Sequence, residues 1–186
     1  MVEDTTDKGF DERQIVIFAL GQEEFGVNIS EVREIIRMEQ ITKIPNAASY
    51  IKGVINLRGG IIVVIDLAMK VGLPSKEVDK NTRIIVIEVN GNTVGMIVDS
   101  ATEVLRLSGS NIEPAPAIIT EKINADYIEG VGIIGERLLI LLDLARLIEA
   151  KEIAGLTGES TPVESVSESV SEPVSEPSKE SEAPSP

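Results

Sequence analysis

The sequence predicts an all-β chain folded as two small packed barrels of about five short strands each. Three observations lead there. First, the chain is internally duplicated. Tyr50-Ile51-Lys52-Gly53-Val54 returns as Tyr127-Ile128-Glu129-Gly130-Val131, and the run Ile61 to Asp66-Leu67-Ala68 returns as Leu138 to Asp143-Leu144-Ala145, both 77 residues on. Upstream, Ile15-Val16-Ile17-Phe18 matches Ile84-Ile85-Val86-Ile87, while Gly26, Glu34 and Arg37 match Gly95, Glu103 and Arg106, 69 residues on. An insertion around Glu113-Pro114-Ala115-Pro116 makes up the difference. Such self-similarity means two copies of one folding unit. Second, the apolar runs are short and rich in Ile and Val, as strands are. Third, Gly- and Asn-containing turns break them at short intervals. Five strands per copy are too few for a sandwich and suit a small closed barrel.

Element by element, strands are expected at 14–20 and 83–89. The turns Gly21-Gln22-Glu23-Glu24 and Asn90-Gly91-Asn92 follow, then strands at 25–29 and 94–98. Asn90-Gly91 is a strong hairpin signal because both residues tolerate positive φ. Polar-apolar stretches occupy 30–37 and 99–106. Runs at 53–57 and 61–65 flank the turn Arg58-Gly59-Gly60, and Gly135-Glu136-Arg137 stands at the same turn in the second copy. Short helices are expected at the edges: 66–71, stopped by Gly72 and Pro74, and a C-terminal helix over 143–154, opened by Asp143 and stopped by Gly155. The organisation is thus a polar lead (1–12), a domain (13–156) made of copies at 14–71 and 83–148, and a tail (157–186).

Composition narrows function. There is no histidine and no cysteine. The usual zinc sites, Ser-His-Asp and Cys-His nucleophile pairs, and disulfides are therefore excluded. Net charge is −14, and aromatic residues are sparse. Nucleic acid and anionic lipid, which reward clustered cations and stacking platforms, are not expected partners. The longest apolar runs fall far short of the ~20 residues of a spanning helix, and the acidic N-terminus lacks the basic and apolar regions of a signal peptide. A cytoplasmic protein without direct membrane insertion is expected. The tail, built of Val-Ser-Glu-Ser and Val-Ser-Glu-Pro repeats, is too poor in apolar residues to offset chain entropy; disorder is expected, with no job or with solubility and tethering as its job, and a regulatory tail is the alternative.

The stretch Ile51-Lys52-Gly53-Val54-Ile55-Asn56-Leu57-Arg58-Gly59-Gly60-Ile61-Ile62-Val63-Val64-Ile65-Asp66-Leu67 resembles the signature of the CheW family, the adaptor proteins of bacterial chemotaxis. The resemblance runs from about Ile15 to Leu147. It includes Glu24-Phe25-Gly26-Val27, Val32-Arg33-Glu34-Ile35, Val94-Gly95-Met96-Ile97-Val98-Asp99, Val104-Leu105 and Pro114-Ala115-Pro116. It implies two intertwined SH3-like barrels and a non-enzymatic adaptor without cofactor or metal. The implied partners are the cytoplasmic tip of transmembrane chemoreceptors, lying in the groove between the subdomains, and the regulatory domain of the chemotaxis histidine kinase, docking end to end on a barrel. Recruitment to membrane receptor clusters would follow through those partners. The interface residues carried over are Arg58 with Asn56 and Gly59 of its Asn-Leu-Arg-Gly turn, Val32, Glu34, Gly95 and Val104.

Each has an ordinary reading beside the functional one. Turn arginines are mostly solvated, but the duplication places Gly135 where Arg58 stands, so the turn does not need arginine. An always-charged planar fork suits a protein interface. Glu34 recurs as Glu103, with Arg37 and Arg106 three residues on; a local ion pair on a helical turn explains that pattern as well as an interface does. Gly26 and Gly95 recur together, which favours backbone geometry or close packing. Val32 and Val104 read as core until the resemblance promotes them. Asp66 and Asp143 read as helix caps, and Asp99 or its counterpart Ser30 as caps of the turns that follow them. Two other function classes compete: a small-molecule sensor with a ligand inside a barrel, although barrels this small usually fill with side chains, and an enzyme using carboxylates, for which no converging pair is evident.

Overall fold

The computed structural model describes residues 12–148. Eleven strands and three short helices follow in order: β1 Glu12–Leu20, β2 Glu23–Asn28, β3 Val32–Arg37, β4 Ile51–Leu57, β5 Gly60–Asp66, α1 Leu67–Val71, β6 Arg83–Val89, β7 Asn92–Val98, β8 Ser100–Ser108, β9 Ile112–Glu113, α2 Ala117–Thr120, β10 Ile128–Ile134, β11 Arg137–Leu142 and α3 Leu144–Leu147. Single 3-10 turns precede β3, β9 and β10. Residues 1–11 of the lead, the tail and the expected helix beyond Ile148 lie outside the described residues, and Glu12, expected in the lead, opens β1.

The strands form two ladders, β8-β1-β2-β11-β10-β9 and β3-β6-β7-β5-β4, called here barrel A and barrel B. Neither is the product of one sequence copy. The hairpin β1–β2 of the first copy sits in barrel A with β8, β10 and β11 of the second. The hairpin β6–β7 of the second sits in barrel B with β3, β4 and β5 of the first. The joints are parallel and equivalent: Phe25 of β2 lies opposite Ile140 of β11, and Val94 of β7 opposite Val63 of β5. Barrel A gains a sixth, two-residue strand, β9, opposite Gly132 and Val131. Barrel B has only an isolated bridge, Thr42 to Val54, in the corresponding place.

The exchange explains why β1 and β6 read as unbroken apolar runs. Alternate residues of a strand face opposite sides of its sheet, and here both sides are buried. Ile15 and Ile17 join Leu107, Leu139 and Leu141 inside barrel A, while Ile84 and Val86 join Ile55, Ile62 and Val64 inside barrel B. Their neighbours Val16, Phe18, Ile85 and Ile87 meet in a third and larger core between the barrels. Aliphatic side chains pack both interiors.

Several local expectations hold. Asn90 and Gly91 both take positive φ (52° and 77°) at the β6–β7 hairpin. Asp66 accepts from the Met69 amide, Asp143 from that of Arg146, and Gly72 ends α1 in the left-handed conformation at φ 93°. Others are corrected. The first hairpin loop is only Gly21-Gln22, so Glu23 and Glu24 belong to β2. The stretches at 30–37 and 99–106 are mostly strand (β3 and β8), not helical turns. Asn28, not Ser30, caps the turn before β3, accepting from the Ser30 amide. Asp99 reaches back to accept from the Gly21 amide at 2.7 Å, tying β7 to the other barrel's first hairpin. The insertion around Pro114 and Pro116 holds β9 and α2, which local patterning did not reveal.

Candidate protein-docking site

The β4–β5 turn is a two-residue loop: Leu57 pairs with Gly60, leaving Arg58 and Gly59 at the tip. Both have positive φ, 53° and 89°, as the hairpin turns that match strand twist require. Asn56 Oδ1 accepts the Gly59 amide at 2.8 Å and holds the loop shut. Glycine adopts this backbone without penalty; for an L side chain it costs on the order of 1 kcal/mol. The second copy takes the less strained solution, Gly135 at φ 63°. Arg58 therefore occupies a position that folding alone would give to glycine or asparagine, and its side chain is 79% exposed.

Among the described residues its guanidinium bonds to Glu34, from Nη2 to Oε2 at 2.8 Å. Glu34 shares a face of β3 with Ile36, which packs inside barrel B, so the pair sits at the barrel's mouth. A local pair between Glu34 and Arg37 is thereby corrected: on a strand, residues three apart point to opposite faces.

Barrel A carries the same device differently built. Arg137 donates through Nε and Nη2 to Glu24 (3.0 and 2.7 Å) and through Nη1 to Glu103 at 2.8 Å. Glu103 is the repeat counterpart of Glu34; Arg137 is the counterpart of Gly60, two places along from that of Arg58. Arg58 is thus less singular than the sequence duplication suggests, because each barrel mouth holds an arginine–glutamate pair. The difference lies in commitment. Arg137 is spread over two carboxylates, which raise its pKa above the ordinary guanidinium range, while its hydrogen bonds hold the Glu24 carboxyl below the ordinary carboxylate value. Arg58 spends one donor and leaves most of its fork in solvent.

Exposed aliphatic residues stand close in sequence to both pairs, in matching positions. Ile35 on β3 corresponds to Val104 on β8, and Ile61 on β5 to Leu138 on β11; all four are exposed, Ile61 at 70% and Val104 at 49%. Apolar surface beside an incompletely satisfied arginine is the composition of an interface centre. Of the residues named from the sequence, Arg58, Asn56, Gly59 and Glu34 come together at the mouth of barrel B. Val104 lies on the surface of barrel A. Val32 is half-buried against the core between the barrels. Gly95 is buried: a Cβ there would lie 2.8 Å from Ile84 Cγ2, so it affects any surface only through packing. Gly26 is its counterpart, where a Cβ would overlap Ile15 Cγ2. Sequence reasoning missed Arg137, Ile35, Ile61 and Leu138. The repeat offsets point to the aliphatic four, since each is apolar in both copies at a strand position facing solvent.

The sequence profile of the CheW-like domain matches residues 14–152. The chain is 40% identical over 142 residues to the chemotaxis protein CheW of Klebsiella aerogenes, covering 76% of this chain and 85% of that one. It is 33% identical over 136 residues to the CheW of Bacillus subtilis, covering 73% and 86%. Among solved structures it resembles the scaffolding protein TtCheW from Thermoanaerobacter tengcongensis, with a TM-score of 0.69, 37% identity, and 75% and 90% of the two chains covered. The exchanged barrels and the likeness over three quarters of its length agree: this chain belongs to the CheW-like family.

Proposed function

We propose that this protein is a non-enzymatic adaptor of bacterial chemotaxis, working in the cytoplasm. It links the signalling tip of transmembrane chemoreceptors to the regulatory domain of the chemotaxis histidine kinase and is recruited to receptor clusters through them. The observation that carries the reading is Arg58: an exposed guanidinium held at positive φ where the sister copy uses glycine, beside exposed Ile35 and Ile61. A strained backbone position that folding does not need is a mark of function. Asn56 and Gly59 hold the loop that presents it, Glu34 orients it, and Val104 offers a second surface on barrel A. Val32 borders the core between the barrels, and Gly95 keeps β7 close against β6.

Two docking surfaces on one rigid body let receptor conformation bias kinase activity, provided docking strength differs between signalling states. Among the described residues no helix is long and apolar enough to cross a membrane, and the adaptor reading requires none. The test is a pull-down with a receptor signalling fragment and the kinase regulatory domain, each alone and then together. Retention of both, with one lost in Arg58→Ala, supports the reading. Retention of neither by the wild-type chain sinks it.

A further inference from the structure

Away from the Arg58 turn, barrel B carries two adjoining clefts of about 330 and 400 Å³ that share Met38. The first is lined by Met38, Ile41 and Ile97 together with Lys43, Lys52 and Lys76. The second adds Arg37, Lys80 and Arg83. These six cations are drawn from fourteen within residues 12–148, whereas three of that segment's eighteen acids, Asp66, Glu77 and Asp79, line the clefts. Asp66 is buried and fully engaged, by the Met69 amide, Ser75 and Lys52. The local balance is therefore positive on a chain of net charge −14.

Folding does not require this charge. At the matching place in barrel A, Glu129, which pairs with Arg13, stands where Lys52 does, while Asp66 is kept as Asp143. There, burial and these two neighbouring charges push the Glu31 carboxyl above its ordinary value. Lysine at position 52 is therefore not a requirement of the barrel itself.

The chain's own C-terminal segment fits it. Val166, Val170 and Val174 alternate with Glu168, Glu172 and Glu176, every second residue, with Ser167, Ser169, Ser171, Pro173 and Ser175 between. An extended chain puts alternate residues on one side, so one side would present valines and glutamates and the other serines and proline. That is the chemistry of the cleft in complement: apolar contacts for Met38, Ile41 and Ile97, and carboxylates for the lysines and arginines.

We infer that residues 163–180 dock back into this cleft as an intramolecular acidic strap. Thirty-eight residues follow Ile148. At about 3.3 Å each they span well over the roughly 15 Å radius of a domain this size. Tethering supplies an effective concentration on the order of millimolar, so modest contacts suffice. The segment lies beyond the residues matched by the family profile. The inference is independent of the adaptor reading, because Lys52 and Arg58 lie at opposite ends of β4, about 20 Å apart at 3.3 Å per residue.

The absence of cysteine allows a single-site label. A nitroxide on Ser171→Cys in the full chain is expected to broaden the backbone amides of Met38, Ile41, Lys80 and Ile97 to less than about half their reference intensity, as a mostly closed tether would. Broadening should fade in ~1 M salt, where screening acts within about 3 Å, and in Lys43→Glu/Lys80→Glu, whose unchanged spectrum elsewhere reports an intact fold. Uniform weak broadening overturns the inference. So does broadening centred on Ile35 or Val104, broadening that survives the charge reversal, or broadening that appears only between separate chains in a mixture of labelled and isotope-enriched protein.

Discussion

The Arg58 guanidinium and the Glu34 carboxylate meet at 2.8 Å and join the two edges of barrel B's ladder, β3 at one and the turn leaving β4 at the other. An exposed pair of this kind contributes little to stability. What it does is aim an otherwise mobile side chain over the barrel mouth.

Arg58→Ala is therefore expected to leave the melting temperature nearly unchanged while abolishing either receptor co-sedimentation or kinase activation. Arg58→Gly relieves the positive-φ strain and should raise the melting temperature by the equivalent of roughly 1 kcal/mol, as the Gly135 turn implies. It should show the same docking defect. Thermal melts and co-sedimentation check both; a large loss of stability in the alanine variant would make Arg58 structural.

The matching aliphatic residues give a second test. Ile61→Ser and Val104→Ser change exposed strand positions and should shift stability by no more than about 0.5 kcal/mol. Each should weaken binding of one partner and spare the other, since the two residues lie on different barrels. Equal effects on both partners would argue against separate surfaces.

The buried glycines should behave oppositely. A methyl at Gly26 overlaps Ile15 and one at Gly95 crowds Ile84 and Val64. In a filled interior such overpacking costs about 1–3 kcal/mol. Urea titration of Gly26→Ala and Gly95→Ala should show that loss, and binding measured well below the unfolding midpoint should remain.

Two carboxylates predict pH behaviour of opposite sign. Glu24 is depressed below its ordinary 4.5, chiefly by the Arg137 hydrogen bonds. Its contribution is full above the unfolded value and is lost as pH falls through the folded one. Glu24→Gln should therefore destabilise at neutral pH and match the wild type in strong acid. Glu31 is raised, by burial first and then by Asp143 and Glu129. Its ionised form disfavours folding above the folded pKa, and the penalty vanishes below the unfolded one. Glu31→Gln should stabilise at neutral pH, with the gain fading as acid is added. Melting curves across the acid range read both.

Deleting residues 159–186 should leave receptor–kinase coupling intact, because the proposed strap site lies at the opposite end of β4 from the Arg58 turn. Loss of coupling in a reconstituted receptor–kinase assay would place the tail at the docking surfaces themselves.

Much of this was written along the chain. Short Ile- and Val-rich runs, the Asn90-Gly91 turn, the Asp66 and Asp143 caps and the duplication are local or self-comparing features, and they determined an all-β pair of barrels with Arg58 as its most informative side chain. Partnership was not written there. Internal likeness shows which segments correspond, but not which ones pair; the family resemblance implied intertwined barrels, and the folded chain identified β1–β2 and β6–β7 as the hairpins that change places. The same step set Glu34 against Arg58, 24 residues away, rather than against Arg37 nearby. It also revealed Arg137, from a different register position, as the equivalent arginine at the other barrel mouth. The physical reason is common to all three. Hydrogen bonds between strands and ion pairs across a barrel mouth join residues by proximity in space, and proximity between distant segments is created by the packing of the core.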